Sequence, residues 1–509
     1  MRFSLIAGLA RFGIVALIAQ TSFATLPVTF ISSQVGTIST CETHRVGELN
    51  GSLLFTQSEE HAVSPQSANA VLWKSDGTLA GTTKVALLGS PKNDMFTSLL
   101  TYTQVPRGQV GTKGAILPVV LSQTINNVMF APGTAWFSDG TTLGTFDSTM
   151  PNSQIAAIGT KILLVGAGSL RSSDGTIAGT TTLTTFPTGA VISSVADDAK
   201  QAVVMVTLAS LTHLWLTDGT STGTRQLTQA GFAGTYPRSG VIDGDDFYFT
   251  LYDQKTIYRT KLSNPTWSAT SMVTSSTMSS VKVLAANAGR VLFIATEAST
   301  TGLYVSDGST ISAIAATSYL GKVGGRVLMA SLTANNKVNV LSNDFTATGT
   351  LTLLSGGTSL STDLELYGQV AYFSYNDGSR GRELWVTDGT QAGTQFVNDF
   401  NPGSGNGFGS LSGGFAGSFK GNSYVIAWNG SQCGLYAVSP SATLGDGGVA
   451  DAGSDGGPPI DAGSPIDAGS PIDVASGDAD PPAPLPASPP PEGGCDCHSA
   501  RSPVGEPNY

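Results

Sequence analysis

Glu383-Leu384-Trp385-Val386-Thr387-Asp388-Gly389-Thr390-Gln391-Ala392-Gly393-Thr394 is the stretch on which the reading of this chain turns. Leu384 to Thr387 alternates apolar and semi-polar side chains around a Trp, the period-two pattern of a half-buried strand. Asp388-Gly389 then supplies a tight reversal. Gly tolerates positive φ, and the Asp carboxylate accepts hydrogen bonds from amides two residues on. Gly393 to Phe400 reads as the returning strand, so the unit is a strand, a turn and a strand.

The unit recurs at Asp76-Gly77, Asp139-Gly140, Asp174-Gly175, Asp218-Gly219 and Asp307-Gly308, usually with a Trp or Tyr three residues before the Asp. Eroded copies stand near Lys261, at Asn343-Asp344-Phe345-Thr346 and at Leu435-Tyr436. An apolar run, often introduced by Gly, precedes each copy: Gly51 to Phe55, Gly159 to Val165, Gly289 to Ile294 and Gly368 to Phe373 are clear cases. With a short strand before each run, every repeat offers about four strands in about 45 residues, the size of one propeller blade. The expected fold is all-β, a β-propeller of seven to nine four-stranded blades followed by a disordered Asp/Gly/Pro-rich tail. No sustained 3.6-residue periodicity supports a coiled coil or a helical solenoid.

Working outward, residues 1–24 read as a signal peptide. Arg2 and Arg11 precede the apolar run Phe12 to Ala19, and Ser22-Phe23-Ala24 is a small-x-small cleavage site. The run is too short to span a bilayer. Residues 25–440 form the propeller. Leu26 to Ser32 is an orphan strand, whereas the last unit, at Leu435-Tyr436, has neither an Asp-Gly turn nor a returning strand. An open sheet edge invites aggregation, so the N-terminal strand is expected to complete the final blade. Cys41 and Cys433 then lie along the seam, either as a disulfide or as two independent buried thiols.

Residues 441–494 are a disordered acidic spacer, with Pro459-Ile460-Asp461-Ala462-Gly463-Ser464 repeated imperfectly and neither Lys nor Arg. Its nine acids carry most of the formal charge of −11, which leaves the propeller near neutral. Neither part has the basic footprint of a nucleic-acid binder. Residues 495–509 begin with Cys495-Asp496-Cys497-His498, a short cluster that makes a weak metal site on its own. No transmembrane helix, metal or cofactor is expected.

The motif Glu383-Leu384-Trp385 with Asp388-Gly389-Thr390 resembles the ELWxxDGT repeat proteins abundant in myxobacteria, and the likeness extends over nearly all of residues 50–440. Only this copy carries the Glu. The resemblance implies export and brings no general activity with it. The Asp-Ala-Gly-Pro spacer before Gly493-Gly494-Cys495 is similar to the entrance of the MYXO-CTERM sorting signal, which continues into a membrane helix and an arginine cluster that this chain lacks. That likeness implies surface anchoring, and the missing helix leaves free secretion open. The Asp-Gly turn also resembles the Asp box of sialidase-type propellers, where it stabilises a hairpin away from the active site.

The aspartates in register, Asp76, Asp139, Asp174, Asp218, Asp307 and Asp388, with Gly77, Gly140, Gly175, Gly219, Gly308 and Gly389, are read as turn-formers rather than calcium ligands. Trp73, Trp136, Trp215 and Trp385 are read as packing between blades rather than sugar platforms. His44, His61, His213 and His498 are scattered, which gives a catalytic triad or zinc site little to draw on. Asp243-Gly244-Asp245-Asp246 reads as a solvated turn. No residue is assigned a catalytic role. The chain reads as a non-enzymatic exported binding or adhesion module for a glycan or protein ligand. An extracellular polysaccharide hydrolase or lyase, with carboxylates converging on the channel, and a structural matrix protein are the alternatives.

Overall fold

The computed structural model describes residues 27–32, 41, 43–61, 64–88, 102–103, 109–125, 128–130, 133–147, 154–166, 168–188, 190–198, 200–208, 211–227, 239–251, 255–264, 268–361, 364–408 and 413–439. The chain divides into units 1–452 and 453–509, and the described residues all belong to the first. The signal segment 1–24, the spacer from residue 441 and the Cys495–His498 cluster lie outside the described residues.

Among the described residues there are only strands and turns, gathered into nine antiparallel sheets. The sheets are the blades of a β-propeller. In chain order they cover 43–88, 102–147, 154–185, 191–226, 239–274, 278–314, 318–357, 359–398 and 413–438, numbered here as blades 1 to 9. Seven sheets have four strands laid in sequence order, apart from the closing strand of blade 9. Blade 2 has six and blade 8 five, with Ser359–Leu360 and Glu365–Tyr367 both paired to Val370–Asn376. The apolar runs are the second strands and the tryptophan runs the third. The first strands of successive blades lie against one another, Thr43–Leu49 against Gly413–Phe419 and Ser239–Asp243 against Met278–Asn287, for example.

The alternation along each strand explains where the core sits. Side chains point to both faces of a blade, and both faces meet a neighbouring blade. Val46, Leu54 and Leu117 pack between blades 1 and 2. Met205, Phe247 and Phe249 pack between blades 4 and 5, and Leu292, Met329 and Phe345 between blades 6 and 7. Trp73 and Trp385, 5% and 3% exposed, fill these layers and are not platforms. Trp215 is half-buried against Phe186 in an edge-to-face contact at 5.6 Å. A bulge interrupts the pairing of the third and fourth strands next to the aromatic position, at Leu72/Trp73, Ile257/Tyr258 and Leu384/Trp385, and adds local twist there.

The ring closes through the N-terminal strand. Val28–Ser32 pairs antiparallel with Cys433–Val438 and supplies the outermost strand of blade 9, Val28 opposite Val438 and Phe30 opposite Tyr436. A disulfide joins Cys41, just ahead of blade 1, to Cys433 in blade 9 across 392 residues, and both are fully buried. One apolar cluster containing Cys41, Phe55, Trp73, Phe419, Ile426 and Cys433 spans blades 9 and 1.

Candidate functional site

Each Asp-Gly turn links the third and fourth strands of its blade, and at Asp388 it is built from five side-chain and backbone hydrogen bonds. At Asp388, Oδ1 accepts from the Thr390 amide and from Thr390 Oγ1, both at 2.7 Å. The Gly389 amide donates to Thr387 Oγ1 at 2.9 Å, and the Gly393 amide donates to Thr390 Oγ1 at 3.0 Å. Thr394 Oγ1 donates to the Thr390 carbonyl at 2.6 Å. The same bonds recur at Asp76, Asp174 and Asp218. Asp139 and Asp307 make a shorter version, in which the third amide on also donates to the carboxylate. The threonines two and six residues after Asp76, Asp174, Asp218 and Asp388 are therefore as much a part of the motif as the Asp-Gly pair that the sequence emphasises.

These bonds favour the ionised carboxylate. The Thr142 amide and Thr141 hydroxyl hold Asp139 down at about 2. The hydroxyls of Thr78, Thr220 and Thr346 lower Asp76, Asp218 and Asp344. Partial burial raises Asp174, but Thr176 and Lys113 outweigh it and leave it lowered. The amides of Thr310 and Ser309 bring Asp307 well below the usual carboxylate range. An acid needed as a proton donor near neutral pH would be shifted the other way.

The turns have a second role that a single repeat cannot reveal. In an antiparallel blade, the hairpin joining strands one and two lies at the same end as the Asp-Gly turn. At that end, five of the turns are bonded to the preceding blade. Asn50 Nδ2 of blade 1 donates to the Asp139 carbonyl of blade 2, and the Lys113 amide of blade 2 to the Asp174 carbonyl of blade 3. Lys161 Nζ of blade 3 donates to Gly219 O of blade 4 at 3.1 Å, and Ser342 Oγ of blade 7 to Gly389 O of blade 8 at 2.6 Å. Lys420 Nζ of blade 9 donates to Asp76 O of blade 1. Blade 5 lacks the turn, and there Arg225 Nη2 of blade 4 donates instead to the Leu262 carbonyl at 2.6 Å. The glycine is required twice over. Gly175 has φ +94°, and a Cβ there would also run into the Gly114 carbonyl of blade 2.

Nearer the axis, two ion pairs skip a blade. Arg45 Nη1 of blade 1 lies 3.5 Å from Glu365 Oε1 of blade 8. Lys322 Nζ of blade 7 lies 3.3 Å from Asp243 Oδ1 of blade 5 and donates to the Ala286 carbonyl of blade 6 at 2.6 Å. The Ala288 amide donates to Asp243 Oδ2 at 2.8 Å. Asp245 accepts from Ser263, and Asp246 is bidentate with Arg259 at 2.7–2.8 Å. The reading of Asp243 to Asp246 as a merely solvated turn is therefore corrected, because long-range partners invisible in the local sequence engage all three acids. Among the described residues no group of three or more His, Cys, Asp and Glu could hold a metal ion. His213 Nδ1 instead faces Gln226 Nε2 at 3.0 Å.

A cleft of about 290 Å³ opens between the turns of blades 3 and 4, beside the Thr112 hairpin of blade 2. Lys161, Ser172, Asp174, Thr181, Thr220 and Ser221 contribute to its wall. Its polar character comes from hydroxyls on successive turns, together with one carboxylate and one ammonium group. Lys113 Nζ stands 3.0 Å from Asp174 Oδ2 at its edge. Such a wall can both donate to and accept from a neutral polyol.

No known family model matches this chain, and no curated protein is significantly similar in sequence. Among solved structures the chain is similar to a prolyl endopeptidase, at 13% identity over 66% of this chain and 54% of that one, with a TM-score of 0.38. It is similar to the β-propeller domain of the Trilobed protease from Pyrococcus furiosus, at 14% identity over 60% of this chain and 98% of that one, with a TM-score of 0.34. The Dos1 propeller is a further likeness, at 12% identity over 65% and 90%, with a TM-score of 0.39. The chain spans about half the length of the prolyl endopeptidase. Peptidase activity belongs to the prolyl endopeptidase and the Trilobed protease.

Proposed function

We propose that this chain is an exported, non-enzymatic propeller that binds a glycan at the cell surface or outside the cell. The observation that carries the reading is the hydroxyl-lined cleft between the turns of blades 3 and 4. Its walls are fixed by inter-blade bonds such as Lys161 to Gly219, so little ordering is required when a ligand enters. Export is supported by the signal-like residues 1–24 and by the Cys41–Cys433 bond, which suits an oxidising compartment. Membership of the ELWxxDGT repeat proteins, of myxobacterial type, is part of the same proposal and rests on the quoted repeat.

The test is a glycan array probed with the chain from residue 25 onward, with and without calcium, the bound sugars being checked for cleavage. Retained and unaltered glycan, lost on Ser172→Ala and Ser221→Ala together, supports the module. Shortened glycan replaces it with the hydrolase or lyase. An array without signal removes the glycan and turns the search to protein partners or a matrix role.

A further inference from the structure

At the end opposite the Asp-Gly turns, the connection 399–408 leaves blade 8 and folds over that blade's own hairpin at 377–381 before entering blade 9. Glu383, 1% exposed, holds it at two points. Oε2 accepts from the Phe400 amide at 3.0 Å, and Oε1 accepts from the Gly407 amide at 2.7 Å. Further bonds fix the loop from both sides. Asn406 Oδ1 accepts from the Arg382 amide at 2.8 Å, and the Gly407 carbonyl accepts from the Trp428 amide of blade 9 at 2.9 Å. The packing admits no extra atoms: a Cβ on Gly381 would run into the Gly405 carbonyl, and one on Gly407 would press on the Glu383 carboxyl.

The charges around Glu383 do not neutralise it. Across the strand pair stands Tyr375, whose hydroxyl donates to the Val338 carbonyl at 3.1 Å. In the hairpin, Arg380 Nη1 is 2.9 Å from Asp377 Oδ2, with its guanidinium over Phe396. Arg382 is adjacent on the strand and so projects to the opposite face. The loop itself contributes Asp399, a like charge, and blade 9 contributes Tyr436 against Phe400.

We propose that Glu383 is the catch of a latch that ties the 399–408 loop across blades 8 and 9 and loosens as the pH rises. The proposal is independent of the glycan reading. Burial disfavours the ionised carboxyl and pushes it up to about 8, against the opposing pull of the Phe400 and Gly407 amides. Once the loop opens, the carboxyl meets water and ionises in the ordinary range near 4.5. Opening therefore releases a proton, and linkage makes the opening constant climb about tenfold per pH unit between those two values and level off above the higher one.

The experiment is hydrogen exchange on the full chain between about pH 5 and pH 9, corrected for intrinsic rates, with the Ala202–Leu208 strand as internal reference. Protection of 399–408 is expected to fall about tenfold per pH unit and to flatten above about pH 8, while the reference stays level. In Glu383→Gln, the loop is expected to exchange faster, having lost one acceptor, but with no pH slope. Level protection in the parent chain, the same slope in Glu383→Gln, or an equal loss in the reference strand would overturn the proposal. Should Glu383→Gln fail to fold, Asp399→Asn decides. Removing the neighbouring charge must move the flattening to lower pH, and an unmoved profile refutes the latch.

Discussion

At the scale of single residues, the Asp-Gly turn is a closed set of hydrogen bonds, and its parts are separable. Asp388→Ala removes two bonds to one carboxylate oxygen and is expected to cost about 1–2 kcal/mol in thermal or denaturant unfolding. Gly389→Val acts differently. The residue has φ +87°, and a Cβ would press to 3.2–3.3 Å against Arg326 and Val323 of the preceding blade, so backbone strain of about 1–3 kcal/mol adds to the clash. A Gly389→Val protein as stable as the parent would refute the turn-former account. Blade 7 keeps the geometry with Phe345 at φ +64°, a side chain 2% exposed in the interface with blade 6, so there burial offsets the strained backbone. The turn aspartates also set an acid limit. Asp139 titrates at about 2 in the folded chain against an ordinary 3.8, so its stabilisation is present above about pH 4 and is lost as the pH falls through about 2. Asp139→Asn keeps an acceptor in the turn and is expected to make the loss of stability between pH 4 and 2 shallower, as read from melting temperatures.

The element scale is where sequence and structure part company. The strand–turn–strand unit was legible because its pattern is local: period-two apolarity, then Asp-Gly, then Gly-Thr. The nine apolar runs correspond to the nine second strands for the same reason. What the sequence does not display is which donor reaches which turn, since Lys161 and Gly219 lie 58 residues apart and Lys420 and Asp76 lie 344 apart. Glu383 shows the same limit. Its uniqueness among the copies was visible, but its two bonds run to a loop 17 and 24 residues away. The inter-blade bonds predict an effect confined to one turn. Lys161→Met keeps the aliphatic stem, removes the donor to Gly219 O, and is expected to speed exchange at 218–224 by about five- to tenfold, the equivalent of about 1 kcal/mol. The Asp388 turn should not change. Equal acceleration at both turns would mean that the ring, not the single bond, carries the rigidity.

Across the whole molecule, the question is what keeps nine blades from opening at the seam. Every other interface joins blades already connected by a short stretch of chain, whereas blades 9 and 1 are joined across almost the whole length of the propeller. Two devices close the gap. The strand Val28–Ser32 completes blade 9 by backbone pairing, with Phe30 edge-to-face on Tyr436 at 5.4 Å. The Cys41–Cys433 disulfide then removes the freedom of a very long loop in the unfolded chain, an effect worth about 6 kcal/mol on the chain-entropy account. The two differ in kind: the strand satisfies a sheet edge in the folded state, and the bond restricts the unfolded one. The double substitution Cys41→Ser and Cys433→Ser is therefore expected to lower the melting temperature while leaving Val28–Ser32 protected from exchange in the native protein, because its ladder remains. Removing residues 25–32 should do the reverse, baring the edge of Cys433–Val438 and promoting association even with the disulfide intact. If the Cys-to-Ser protein melted like the parent, and non-reducing peptide maps found both thiols free in the parent, the pairing ladder and the shared core of blades 9 and 1 would be the whole of the closure.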